Sequence, residues 1–250
     1  SAVDVEFLKK LSTMAPAFGT GIGMTENAGF ATFTPEGISI EEMAGQVGRC
    51  FPDLAQVTVR KSMEEDGRAG EELLDNEVGE ICYHPPIVFL GYYNMPEETA
   101  KTISKEGILY TGDLGYFKDM GTYRALYLAG RRKFVIKQKG YNVFPDEVES
   151  HLAGLEGVDV AEVIGMPHRT FDEGLFAFVR PKKGAEITAD MVMEHAKKIA
   201  SYKRPQHVEI WPAGKDFPIT RSTKVDKLAL KEAAKPILED LRRQGKWDAS

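Results

Sequence analysis

Apolar and polar positions along this chain change character after Gly130. Before it, short extended segments alternate with turns. Residues 4–11 form a helical pattern with Asp4 as cap and Val5, Leu8 and Leu11 on one face. Residues 15–26 carry glycines at 19, 21 and 23, which suits an extended strand that another backbone or a ligand approaches closely. Segments 46–49, 55–60 and 80–83 read as strands between Gly, Pro and Asp, and the acidic stretch 64–77 as a solvated loop. Pro96 opens a helix over 96–102. A strand ends in a turn at 110–115, and 121–128 supplies one more strand. After Gly130, strands alternate with amphipathic helices. The pattern predicts helices over 145–152, 188–200 (Thr188 as cap) and 224–241, the last broken or bent near Pro236. Strands are predicted over 158–164, 175–179 and 207–211. The domain boundary falls at residues 131–133, giving a β-rich part over 1–130 and an α+β module over 131–250.

Composition narrows the function classes. The 250 residues allow one large or two smaller domains, and 42% hydrophobic with 28% charged residues is ordinary for a globular protein. A net charge of −6 disfavours nucleic acid and anionic membranes as partners, so an anion site has to be built locally. Two cysteines, Cys50 and Cys82, make neither a disulfide framework nor a metal cluster, and they suit a reducing cytosol. No apolar run approaches the length of a membrane-spanning helix.

The candidate chemistry is concentrated in four short stretches. The longest runs from Gly130-Arg131-Arg132-Lys133 through Gly140 to Glu149. Read alone, it is a hairpin with basic residues at its tip. The others are Gly23-Met24-Thr25-Glu26, Tyr110-Thr111-Gly112-Asp113-Leu114-Gly115 and Pro218-Ile219-Thr220-Arg221-Ser222-Thr223-Lys224. A fixed Asp carboxylate can accept two hydroxyl hydrogens, which is what a ribose diol offers. His84 and His195 are read as a strand-end and a helix-face residue, with no catalytic role.

In this order and at these distances, the four stretches resemble the motifs of the adenylate-forming superfamily of acyl-CoA synthetases, adenylation domains and luciferases. The resemblance implies a fold of α/β and α+β class: a β-rich, distorted barrel-like end of the large adenylation domain, followed by a small mobile α+β C-terminal domain. It assigns phosphate contact to Thr25, Mg²⁺ to Glu26, the acyl and nucleotide pocket wall to Gly21 and Gly23, and the ribose hydroxyls to Asp113 and Arg131. Lys224 becomes the adenylating lysine, Lys133 the hinge of the small domain, and Gly140 the glycine beside the pantetheine channel. Ile22 stands where the family usually has an aromatic residue, and Thr223 where it usually has Gly.

The implied activity is an AMP-forming acid–thiol ligase. A carboxylate and ATP give an acyl-adenylate, and coenzyme A then takes the acyl group. Loading of a carrier protein is the nearest alternative, and a non-catalytic nucleotide-binding or interaction module is another. Gly21 and Gly23 leave room for an aryl or a medium to long aliphatic acid. The family's Gly-x-Pro-Lys phosphate loop has no match here. The expectation is therefore a C-terminal portion of a longer cytoplasmic enzyme, weak or inactive alone, whose partners are its own N-terminal part and the three substrates. A homo-oligomer is compatible with this reading.

Overall fold

The computed structural model describes all residues except Ser1, Ala2, Asp4, Pro52, Ala55, Ser222, Thr223, Ala249 and Ser250. The cap expected at Asp4, the strand start at Ala55 and the departure at Thr223 lie outside the described residues. The chain packs as two units, Ser1–Arg132 and Lys133–Ser250.

In the first unit, helix α1 (Val5–Ser12) buries Leu8. Strands β1 (Gly23–Met24) and β2 (Gly29–Phe30) form one antiparallel ribbon, and β3 (Thr32–Phe33) and β4 (Arg49–Cys50) another. A single turn, α2 (Ile40–Met43), is capped by the Ser39 hydroxyl, which accepts the Glu42 N–H at 3.1 Å. Then β5 (Val57–Arg60), β6 (Gly79–Tyr83), β7 (Leu109–Asp119) and β8 (Arg124–Arg131) pair in sequence order as an antiparallel meander. Helix α3 (Pro96–Thr102), opened by its proline, lies in the β6–β7 connection. Val57, Val59, Ile81, Tyr83, Leu109, Phe117 and Leu126 supply its core.

The sheet-rich class is as expected, but among the described residues no barrel closes. Irregular chain covers both outer edges instead, which removes the exposed ladder that an open edge would present. On β8, the Val47 N–H donates to Leu126 O and the Leu126 N–H to Gly48 O, each at 2.8 Å; on β5, the Leu73 N–H donates to Val59 O at 2.8 Å. The strand expected at 46–49 shifts to β4 because Gly48 sits at φ +84°, where a Cβ would stand 1.9 Å from the Phe33 carbonyl carbon. The strand expected from 121 begins at Arg124, since Gly121 closes the turn at φ +83°.

The second unit is built on β9 (Ile136–Gln138), β10 (Tyr141–Val143), α4 (Pro145–Ala153), β11 (Val158–His168), β12 (Asp172–Pro181), α5 (Ala189–Ala196), β13 (His207–Ile210) and α6 (Lys227–Arg243). The sheet order is β10-β9-β12-β11, with β13 parallel to β12. Alternation along β12 explains the three layers. Leu175, Ala177 and Val179 pack with Val148 and Leu152 of α4 and Val192 and Ala196 of α5. Phe176 and Phe178 pack on the other face with Leu230, Ala234 and Leu238 of α6.

Two helix expectations change. Helix α6 runs unbroken through Pro236. An interior proline costs about 3 kcal/mol, and the burial of Leu230, Ala234 and Leu238 on one stripe outweighs it. Helix α5 starts at the predicted cap, where Thr188 Oγ1 accepts the Met191 N–H at 3.3 Å, but ends at Ala196. The Arg204 guanidinium donates to Lys197 O and Ile199 O at 2.8 and 2.9 Å and so ties off the segment that follows.

Phe176 is fully buried, with ring centroids 4.9 Å from Phe178 and 6.0 Å from Trp247. Phe176→Ala is expected to destabilise the second unit by about 3–5 kcal/mol, read by urea denaturation. A loss below about 1 kcal/mol would contradict this packing.

Candidate functional site

Asp113 and Arg131 face each other directly across the β7–β8 ladder, with Arg131 Nε 2.5 Å from Asp113 Oδ1. Two irregularities flank the pair. Between the partners Glu80↔Leu114 and Cys82↔Tyr110, β6 advances two positions while β7 advances four. Beyond Leu114↔Gly130, the next partner of Gly115 is Leu128, so β8 skips one. Such bulges re-aim side chains beside functional sites. The turn expected at 110–115 is thus a bulge inside a continuous strand. Gly112 makes it with φ +73°, where a Cβ would meet nothing within 4 Å, so the backbone angle alone demands glycine. The Thr111 hydroxyl donates to Ile81 O at 2.8 Å and accepts the Asp113 N–H at 3.1 Å. The Asp113 and Arg131 side chains are 21% and 47% exposed. The carboxylate is mostly buried and the guanidinium about half exposed, so solvent screens the pair only in part.

Beside the pair lies Glu80. One carboxylate oxygen accepts the Gly112 N–H at 2.8 Å, and the other lies 3.1 Å from Arg132 Nη1. Burial pushes its carboxyl up from its ordinary value, Arg132 and the Gly112 N–H pull it back, and the Asp113 charge adds to the rise. The signal available in the sequence is an acid at the head of the apolar run Ile81-Cys82-Tyr83.

Thr25, Glu26 and Asn27 form one 3₁₀ turn at the tip of the β1–β2 ribbon. Glu26 Oε1 accepts the Tyr92 hydroxyl at 2.9 Å, and its carbonyl accepts the Phe89 N–H at 2.8 Å. Burial raises the Tyr92 hydroxyl above its ordinary value, and the hydrogen bond to Glu26 raises it further. Thr25 is exposed. Both residues line a cleft of about 420 Å³ with Phe30, Leu54, Ile87 and Phe89. The room expected at Gly21 and Gly23 is taken by their own hairpin. A Cβ would stand 2.5 Å from Thr32 O at Gly21 and 1.9 Å from Gly29 O at Gly23. Among the described residues no group of three His, Cys, Asp or Glu could hold a metal. A single carboxylate at Glu26 suits a Mg²⁺ that arrives on phosphate oxygens, and it does not suit a free-standing metal site.

In the second unit, Lys139 (φ +51°) and Gly140 (φ +81°) form a two-residue hairpin turn between β9 and β10, with open space at Gly140. Lys133 is exposed, its ammonium 4.8 Å from the Phe134 ring. Lys224 does not open the last helix. Asp226 is the cap, its carboxylate accepting the Leu228 and Ala229 N–H groups at 3.0 and 3.1 Å. Lys224 is exposed in the preceding loop, which closes through an Ile219↔Val225 bridge and a 2.7 Å bond from the Thr220 N–H to Lys224 O. His84 Nε2 pairs with the Thr58 hydroxyl at 2.9 Å. His195 and His151 each place Nε2 within 3.1 Å of the other's carbonyl oxygen and join α4 to α5.

The loop carrying Lys224 is rooted in a buried charge cluster. The Lys227 ammonium donates to Glu149 Oε1 and, at 3.3 Å, to Val163 O, and lies 3.7 Å from Glu162 Oε2. One cation serves two carboxylates. Burial, and then the Glu149 charge, push the Glu162 carboxyl from its ordinary 4.5 up to about 7. The folded chain therefore holds a proton in that window that the unfolded chain has released, and stability falls as pH rises through it. Glu162→Gln should raise the melting midpoint more at pH 8 than at pH 5. Parallel melting-versus-pH curves for the two proteins would contradict the assignment.

Residues 147–224 match the family model described as the AMP-binding enzyme C-terminal domain. The chain is 36% identical over 188 residues to a putative acyl-CoA ligase, YdaB, of Bacillus subtilis, covering 74% of this chain and 35% of that protein. It is 37% identical over 194 residues to 4-coumarate-CoA ligase 2 of Nicotiana tabacum, covering 76% and 34%. ATP-bound MatB from Rhodopseudomonas palustris superposes with a TM-score of 0.82 at 30% identity, over 95% of this chain and 44% of that one. The chain spans about a third of the length of these curated relatives.

Proposed function

We propose that this chain, a member of the adenylate-forming superfamily, is the C-terminal part of an AMP-forming acid–thiol ligase. The ligase activates a carboxylic acid with ATP and then passes the acyl group to coenzyme A. The first unit is the end of the large nucleotide-binding domain, and the second is the small C-terminal domain with Lys133 as its pivot. The observation that carries the reading is the Asp113–Arg131 pair, opposed across a doubly irregular ladder and partly exposed to solvent.

A carboxylate is a poor electrophile because its oxide leaves badly. Attack of its oxygen on the α-phosphorus of ATP expels pyrophosphate and leaves AMP as a good leaving group. Two anions must meet in that step, so cations are needed where charge accumulates. Lys224, exposed on a loop with a fixed root, supplies a mobile ammonium for the carboxylate and α-phosphate oxygens. Asp113 accepts hydrogen bonds from the ribose hydroxyls, and Arg131 donates to them. Thr25 donates its hydroxyl to phosphate, and Glu26, oriented by Tyr92, is the residue that would hold Mg²⁺. When bound, that ion would neutralise phosphate charge. In the second half-reaction the thiol displaces AMP from the acyl carbon, and the open Gly140 turn gives the pantetheine arm room to pass. Among the described residues no helix is long and apolar enough to cross a membrane; the proposed enzyme is a cytoplasmic one acting on small molecules.

Lys224→Ala in the intact protein is expected to cut acid-dependent ATP–pyrophosphate exchange by about 100-fold or more. Thioester formation from supplied acyl-adenylate should stay within about fivefold. Undiminished exchange would remove Lys224 from the mechanism.

A further inference from the structure

Glu80 is 2% exposed in a strand whose next three residues are fully buried. A carboxylate there is costly unless both oxygens are satisfied, and an apolar side chain would be cheaper for stability alone. What the two oxygens touch is informative. One accepts the N–H of Gly112, the residue just before Asp113. The other pairs with Arg132, the residue just after Arg131. The Gly112 N–H belongs to the bulged stretch where the β6–β7 ladder is interrupted, so Glu80 takes the place of a ladder acceptor. The same side chain therefore grips one flank of each member of the ribose-binding pair.

We propose that Glu80 is the positioning residue of the nucleotide site, holding the Gly112 bulge and Arg132 so that Asp113 and Arg131 present themselves together to a ribose diol. This rests on the assignment of Asp113 to ribose made above. Glu80 touches no reacting atom and acts only through its two neighbours. A merely structural carboxylate would affect folding and active fraction without altering which nucleotide is preferred.

The test is nucleotide preference in acid-dependent pyrophosphate exchange by the intact protein, comparing kcat/KM for ATP with that for its 2′-deoxy and 3′-deoxy forms. A site built to bind the hydroxyls should prefer ATP by about tenfold or more, and Asp113→Ala should bring the ratio to about one. Glu80→Ala is expected to lower the ratio to within about threefold of unity while the KM for the acid changes by less than about twofold. Glu80→Gln keeps an acceptor for Gly112 but loses the charge facing Arg132, so its ratio should fall part of the way, by about threefold. Should the alanine variant not fold, the glutamine variant carries the test alone. A full preference retained in Glu80→Gln, and in Glu80→Ala where it folds, with only rate or melting midpoint lowered, overturns the role of Glu80 and leaves that of Asp113 standing. No preference in the unsubstituted protein overturns the ribose assignment itself, and the role of Glu80 with it.

Discussion

The arrangement depends on an antiparallel ladder that loses register on both sides of one cross-strand pair. Had β6, β7 and β8 kept step, Asp113 would be one more residue in a regular sheet, its direction dictated by the pleat. The extra residues around Gly112 free it, the skipped position on β8 frees Arg131, and both remain opposite each other. The cost is an interrupted row of backbone hydrogen bonds. Thr111 and Glu80 restore part of it with side-chain oxygens that reach the Asp113 and Gly112 N–H groups. Strength matters here as much as direction. A fully buried Asp–Arg pair would resist opening, whereas the half-exposed Arg131 guanidinium leaves this one a side open to solvent, as the proposed ribose contact needs.

The second unit meets a different demand. In the proposed mechanism Lys224 has to be mobile at the tip of its loop and fixed at the root. The tip is exposed; the root is the Asp226 cap followed by Lys227, which is held between Glu149 and Glu162 on α4 and β11. That root is set into a three-layer module whose central strand sends alternate side chains to two separate cores. Its sensitivity to pH follows from one ammonium serving two buried carboxylates, both of which burial pushes above the ordinary carboxylate value.

Features set by local chemistry were legible before the fold was known. Pro96 and Pro145 start their helices, Thr188 caps α5, and the apolar runs at 80–83, 158–164 and 175–179 lie in strands. Features that depend on matching distant segments were not. The bulge at Gly112 exists only relative to the spacing of β6, so Tyr110 to Gly115 reads locally as a turn. Gly21 and Gly23 give the same signal whether they leave room for a ligand or yield it to a partner strand, and the hairpin takes the space. Pro236 reads as a break because its cost is local while the burial that offsets it is not. Lys224 reads as a helix start because its motif draws the eye past Asp226, the better cap two residues on. Glu80 stands in the sequence at the head of the predicted strand 80–83, and its partners Gly112 and Arg132, 32 and 52 positions away, are visible only in the fold.

The ribose site is tested most directly by the structure of the intact protein with AMP bound. Both ribose hydroxyls are expected within hydrogen-bond distance of the Asp113 carboxylate, with Arg131 turned from Asp113 toward the ribose. AMP bound with its ribose away from Asp113, while the Asp113–Arg131 pair stays closed, would contradict this assignment.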